Sequence, residues 1–244
     1  MTVLGVIMAR AGSAGLANKH LRPLMGRPVI EYTFDHALAA ERLTRIVVST
    51  DCPSIRRLAQ KRGLEVIDRP AMLATADASV QDVMLHAMDY VETGETAWQA
   101  QGLVVLYGNV AVRGAGVIDR AIRLLEWTNC DSVRTFCPVG KWHPAWMSRL
   151  DGNRVEPLMG NSVHRRQDLE PMYLHDGAVV AVSRPSMLRG KQTPRDPHAF
   201  FGADRRGIMT EAGETVEIDC LRDLYWAEAV MRDQRAGTVK SEVA

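Results

Sequence analysis

The 244-residue sequence predicts an α/β fold, a doubly wound sheet with mostly parallel strands. Three observations predict it. Short β-rich apolar runs recur at VLGVIM (3–8), RIVVS (45–49), LEVID (64–68) and LVVLY (103–107). Segments with helical spacing separate them. The runs are continuous rather than alternating, as in strands buried on both faces.

In chain order, the first strand feeds a loop of small residues, and helices are expected over 29–43 and 53–62, each followed by one of the apolar runs. The clearest helix is 79–91. Val80, Val83, Met84, Ala87, Met88 and Val91 fall on one face, and Ser79 with Asp82 resembles a capping box. Its methionines read as core. A helix at 116–127, strands at 132–139, 177–182 and 215–218, and a final helix at 221–235 complete the pattern, with a small polar tail that frays. One segment, 140–176, breaks the rhythm. It is rich in Trp, Met, Pro, Arg and His, carries a hairpin-like turn at Asp151-Gly152, and reads as an excursion from a single domain spanning 1–244.

Lys+Arg 30 against Asp+Glu 29 leaves a net charge of +1, which argues against a global nucleic-acid footprint, so any anion site is local. Cys52, Cys130, Cys137 and Cys220 lie far apart without a metal or C-x-x-C spacing and read as free thiols in a reducing compartment. No signal-peptide pattern and no apolar stretch near 20 residues is present, so a cytoplasmic location without membrane contact is expected. His36 and His86 read as structural.

Four stretches carry the residue types that chemistry needs. The loop ARAGSAGLANK (9–19) follows the first strand, where doubly wound sheets bind ligands. It lacks the P-loop and dinucleotide fingerprints. Its backbone N–H groups form either a phosphate nest flanked by Arg10 and Lys19 or an open loop with two solvated cations. Arg69-Pro70 is an anion contact or an ordinary ion pair. Glu217 and Asp219 share one strand face, where paired carboxylates suit Mg²⁺, or Asp219 caps the final helix. Arg165 and Arg166 beside Gln167 and Asp168 suit a carboxylate or a surface charge cluster.

Together these pieces are more specific. The order R-A-G-S-x-G-L-x-x-K, V-V-S-T-D, R-P-x-x-L-A-x-x-x-A-S, D-S-V, H-P-x-W-M, R-R-Q-D-L-x-P-x-Y, G-A-V-x-A-V and E-I-D resembles the acylneuraminate cytidylyltransferases, from about residue 3 to about residue 229. The resemblance implies a nucleotide-diphospho-sugar transferase-like fold. It also implies a reaction in which CTP and a nonulosonic (sialic-type) or related 2-keto sugar acid give a CMP-sugar and pyrophosphate. It implies that Arg10 and Lys19 contact the triphosphate, with Ala11, Gly12 and Ser13 as backbone donors. Arg69, Ser79 and His20 then lie around the nucleoside, His20 standing where the family usually has Asn. Glu217 and Asp219 occupy the family's D-x-D and hold Mg²⁺. Tyr107, Asn109, Arg165, Gln167, Asp176 and, on looser spacing, Phe200 and Phe201 fall in the sugar-acid region. The excursion corresponds to a dimerisation element, which implies a homodimer.

The chain departs from the family in places. Ala14 replaces a lysine of the first loop, and LYGNVAVR (106–113) stands where L-Q-P-T-S-P-L-R is usual. These changes keep two other readings open: a nucleotidyltransferase with a different nucleotide or acceptor, and a catalytically silent relative acting as a binding subunit.

Overall fold

The computed structural model describes residues 1–12, 15–93, 98–160, 163–193, 195–211 and 213–242, with side chains as far as residue 236. Its strands are β1 Val3–Met8, β2 Pro23–Leu24, β3 Arg27–Pro28, β4 Arg45–Thr50, β5 Glu65–Asp68, β6 Gly102–Tyr107, β7 Val110–Val112, β8 Ser132–Pro138, β9 Ser148–Asp151, β10 Arg154–Pro157, β11 Tyr173–Ser183, β12 Arg205–Met209 and β13 Val216–Glu217. The helices are α1 Val29–Leu38, α2 Pro53–Lys61, α3 Val80–Thr93, α4 Val117–Thr128, α5 Arg184–Gly190 and α6 Leu221–Glu242.

Seven strands form the central sheet in the order β12-β8-β11-β6-β1-β4-β5. All neighbours are parallel except β11, which runs antiparallel to β6 and β8. The chain moves from β1 outward through β4 to β5, then returns to the other side of β1 as β6. That reversal opens a crevice at the carboxyl ends of β1 and β6.

Both faces of the sheet are covered. On one, Ile7, Val48, Val104, Val133 and Val179 pack with Phe34, Ile55 and Ile122 from α1, α2 and α4. On the other, Val6, Val47, Val105 and Val180 meet Met84, Met88 and Val91 of α3 and Met187 of α5. The α3 stripe is as the spacing predicts, with each buried Val or Met contributing about 1.5–3 kcal/mol. Ser79 caps it: the Ser79 Oγ accepts from the Asp82 N–H at 3.0 Å. A third cluster joins Val112 of β7 and Val216 of β13 to Leu224 and Ala227 of α6, clamping the final helix beside the crevice.

Some boundaries differ from the sequence reading. Helix α1 stops at Leu38 rather than 43, and α6 runs on to Glu242, through the tail expected to fray. Strand β11 starts at Tyr173, so the last residues of the 140–176 excursion already belong to the sheet. The short β7 and the edge strand β12 were not anticipated: three residues are too few for a periodic signal, and RRGIM is mostly exposed. Within the excursion β9 and β10 pair as the expected hairpin, with Gly152 at φ 57 in the turn. Among the described residues no helix is long and apolar enough to cross a membrane.

Candidate functional site

A cavity of about 190 Å³ opens in the crevice and is lined by Arg10, Lys19, His20, Arg69, Tyr107, Asn109 and Glu217, with Leu73, Thr75, Ala76, Ala78 and Val83 along one wall. Three cations and a carboxylate thus come from three separate stretches of chain: the loop after β1, the end of β5 and β13. Each is brought there by the end of a strand or the loop that follows it.

The carboxylate side is organised by Asn109. The tight turn between β6 and β7 places it, and the turn itself depends on Gly108, whose absent Cβ would lie 2.5 Å from Ile30 Cδ1 and 3.0 Å from Ala9 Cβ. Asn109 is 4% exposed. Its Nδ2 donates to Glu217 Oε1 at 3.0 Å, Ile218 O at 3.1 Å and Asp219 Oδ1 at 3.2 Å, while its carbonyl accepts from Ile218 N at 2.8 Å. One amide therefore gathers both carboxylates of the E-I-D stretch. Asp219 also takes Lys19 Nζ at 2.7 Å. It does not cap α6: Asp223 does so, its Oδ2 accepting from Asp219 N at 2.8 Å and Cys220 N at 2.7 Å. The Asp219 side chain thus stays in the crevice. Burial and the neighbouring Asp219 charge push the Glu217 carboxyl above its usual range, against the Asn109 hydrogen bond.

The cation side is built on the loop after β1. Gly15 passes so close to the Asp219 backbone that a Cβ would sit 2.7 Å from its carbonyl oxygen. Arg10 folds back on its own loop, Nη1 donating to Gly12 O at 2.7 Å, and the Ala11 N–H goes to Asp51 Oδ1 at 2.7 Å. The expected donor role of Ala11 is thus filled by a carboxylate in this arrangement. Ser13 and Ala14 lie outside the described residues. Arg69 is 7% exposed, donating from Nε to Ser49 Oγ at 3.1 Å and from Nη2 to Ser49 O at 2.8 Å. Burial lowers it to about 10, so it stays charged at neutral pH. His20, 6% exposed, is pulled down to about 3 by burial first and then by Lys19 and Arg69, leaving a neutral imidazole in the cavity wall. Tyr107 is pushed up to about 12 by burial and by Glu217, which keeps its hydroxyl protonated.

Arg113 braces this turn from beneath. Fully buried, it donates to Tyr107 O at 2.9 Å, Val110 O at 3.0 Å, Ala178 O at 2.8 Å and Thr33 Oγ1 at 3.1 Å. Nothing in the sequence marked Arg113 as a brace, because its partners are three backbone carbonyls, two of them from its own turn, and a threonine hydroxyl 80 residues away, none of which leaves a residue-type signal.

The remaining expected residues lie elsewhere. Asp176 is consumed by structure: Oδ1 accepts from Thr135 Oγ1 at 2.5 Å and Ala178 N at 3.1 Å, and Oδ2 from Thr210 and Thr215 at 2.6 and 2.9 Å. Phe200 is a core residue, 1% exposed, and Phe201 packs against it at 4.3 Å between ring centroids. Both sit in the α3/α5 layer, because 199–201 forms a 3₁₀ turn that points them inward. Arg165 pairs with Asp168 at 2.8 Å on the exposed excursion, Gln167 sits in the same turn, and neither enters the crevice of its own chain. Ser79 is committed to the α3 cap, whereas Thr75, Ala76 and Ala78 just before it line the cavity. The R-P-x-x-L-A stretch held that signal, in small residues that read as filler.

Among the described residues no cluster of three or more His, Cys, Asp or Glu could hold a metal by itself. Glu217 and Asp219 remain as a carboxylate pair of the kind that shares Mg²⁺ with phosphate oxygens and water. The repulsion that raises Glu217 fits this, since a cation between the two would relieve it.

Fold and site together define a doubly wound α/β protein with an anion-receptive crevice at its switch point. The family model described as cytidylyltransferase matches residues 4–105. An N-acylneuraminate cytidylyltransferase of Streptococcus agalactiae is 30% identical over 196 residues, covering 78% of this chain and 46% of that protein. A CMP-N,N'-diacetyllegionaminic acid synthase of Legionella pneumophila is 26% identical over 234 residues, covering 95% of this chain and 97% of that one. The solved structure of a CMP:2-keto-3-deoxy-manno-octonic acid synthetase complexed with CTP superposes with TM-score 0.72 at 18% identity, covering 96% of this chain and 100% of that one, which establishes the shared fold. The chain is thus similar to cytidylyltransferases over most of its length. It spans about half the length of the Streptococcus relative.

Proposed function

We propose that this chain transfers the CMP group of CTP to the anomeric hydroxyl of a 2-keto sugar acid of the nonulosonic or octulosonic type, releasing pyrophosphate. The observation that carries the reading is the convergence of Arg10, Lys19 and Arg69 on one cavity with a carboxylate pair gathered by Asn109. Such a site is built to position a triphosphate and stabilise charge as the α-phosphorus is attacked. Lys19 and Arg10 hold the phosphates; the pairing of Lys19 with Asp219 keeps the ammonium directed at the crevice meanwhile. Arg69 and His20 face the nucleoside. His20, being neutral, offers one donor and one acceptor for a base edge. Glu217 and Asp219 would hold Mg²⁺, which supplies charge neutralisation at the phosphates and acidifies a bound hydroxyl.

The relatives named above support the acceptor class through the substrates in their names, and they do not single out one acid. A second copy of the chain belongs to the proposal. Trp142, Leu150, Val155, Tyr173 and Leu174 are exposed on or beside the excursion, an apolar surface of the sort that homodimers cover. Arg165 and Gln167 would then act in a partner's site. The test is pyrophosphate release from CTP with Mg²⁺ and a panel of sialic, legionaminic, pseudaminic and octulosonic acids, with molar mass by light scattering alongside. Release with one acid supports the reading. CTP binding with no release under any acid favours the silent relative, and release from another nucleotide favours the reading that His20 and Tyr107 keep open.

A further inference from the structure

Beside Tyr107 lies a second cleft, of about 450 Å³, bounded by Arg134, Phe136, Tyr173, Arg205 and Met209. Its notable member is Arg134 on β8, half-buried, whose guanidinium has neither an ion pair nor a hydrogen bond among the described residues. Instead its guanidinium lies over two rings, 4.5 Å from the Phe201 centroid and 5.2 Å from that of Phe136. Arg205 reaches the same Phe201 ring at 5.9 Å, with Nε donating to Gly202 O at 2.7 Å and no carboxylate partner. The third arginine, Arg206, is by contrast neutralised by Asp204 at 2.7 Å.

Two cations over one ring with no acid between them are electrostatically incomplete. Burial and Arg205 both disfavour the charge on Arg134, so the pair is costly as it stands. Stacking on aromatic faces fixes a guanidinium's plane and leaves its in-plane donors free, the geometry a carboxylate accepts bidentately. The cleft opens on the same face of the sheet as the first cavity. Arg134 pairs in register with Val180, and Val180 with Val105, so Arg134 stands two strand spacings, about 9–10 Å, from the strand that ends in Tyr107. Arg134 and Tyr107 project from the same face of the sheet and act on each other electrostatically. Tyr107 in turn borders Glu217, since a Cβ on Gly177 would touch both Glu217 Oε2 at 3.3 Å and Tyr107 Cδ2 at 4.0 Å.

We propose that Arg134, supported by Arg205, is the receptor for the carboxylate of the acceptor acid, with Phe136 and Tyr173 flanking its carbon skeleton. The inference rests on the proposed function and adds the group that selects an acid over a neutral sugar. It also gives Phe201 a role: buried though it is, its ring face orients the guanidinium that meets the ligand.

The experiment compares wild type, Arg134→Gln and Arg205→Gln in steady-state pyrophosphate release, varying CTP and the best acid of the panel separately. Thermal unfolding with the acid and with its methyl ester is measured in parallel. Loss of a charge-assisted bidentate contact predicts a KM for the acid raised roughly tenfold to a hundredfold in Arg134→Gln, with the KM for CTP unchanged. Arg205→Gln gives a smaller rise in the same direction, and it keeps the test open if Arg134→Gln fails to fold. Wild type is stabilised by the acid more than by the ester, and Arg134→Gln loses that difference. An unchanged KM for the acid, or a rise confined to CTP, overturns the carboxylate assignment and leaves the transferase reading standing. A wild type that neither turns over nor is stabilised by any acid overturns both.

Discussion

Lys19 Nζ lies 2.7 Å from Asp219 Oδ1, joining the loop after the first strand to the carboxylate pair 200 residues later in the chain. Lys19 is mostly covered and Asp219 mostly open, at 17% and 62% side-chain exposure. An ion pair so open to solvent contributes about 0–1 kcal/mol to stability. Its importance is therefore positional: each partner keeps the other aimed at the crevice, where a triphosphate and its cation would displace the contact.

Asp219→Asn separates these roles. The protein should fold with little change in Tm, and Mg²⁺-dependent pyrophosphate release should fall by about a hundredfold or more, as expected when charge stabilisation at the reacting phosphate is removed. Unchanged turnover would sink the metal assignment.

Asn109→Ala tests the organiser of the pair. The Asn109 amide lowers Glu217, opposing burial and Asp219, so its removal lets the carboxyl rise further. The acid limb of kcat/KM against pH should then move to higher pH, because the pair binds a cation only when deprotonated. An acid limb that stays in place would show that Glu217 titrates outside the reaction.

The fold was legible because strands buried on both faces leave continuous apolar runs, as at 3–8 and 103–107, and α3 announces itself by its stripe. The site was legible in part. Arg10, Lys19, Arg69 and Glu217 stand in or beside strand-end motifs, and the structure gathers them. Arg113 and Arg134 were not legible, since a lone arginine in a strand looks the same whether it braces carbonyls, stacks on rings or meets water. Phe200 and Phe201 were placed in the sugar-acid region by the resemblance alone, on looser spacing; a short 3₁₀ turn packs both into the core layer, with the Phe201 ring against Arg134.

Arg113→Met removes a buried guanidinium that satisfies four acceptors. The Tyr107 and Val110 carbonyls also face the Thr33 hydroxyl, whereas the Ala178 carbonyl loses its side-chain donor. One orphaned buried acceptor costs roughly 1–3 kcal/mol, so a Tm fall of about 2–12 °C is expected in thermal unfolding. Turnover should fall as well, because the carbonyls of Tyr107 and Val110 that frame Asn109 lose their anchor. A variant as stable as the parent would refute the brace.

His20 is pulled to about 3 in the folded chain against an ordinary 6.5. Between those values the unfolded state binds a proton that the folded state does not. Stability is thus full above about pH 6.5 and declines as pH falls toward 3, by up to roughly 1.4 kcal/mol per pH unit for the group. His20→Asn should flatten that decline in denaturant melts at pH 4.5 and 7, and should leave the profile above pH 7 as it was. An equally steep decline in the variant would show that the imidazole is not held neutral.

Whether the crevice receives CTP is tested, without any assumption about the acceptor, by thermal unfolding with Mg²⁺ and each of CTP, UTP, ATP and GTP. A nucleotide at 100 times its dissociation constant adds about 2.7 kcal/mol, a Tm rise of roughly 5–11 °C for a domain of this size. That rise is expected with CTP, and little with the other three. A rise with a different nucleotide, or none with any, would contradict CTP binding in the crevice.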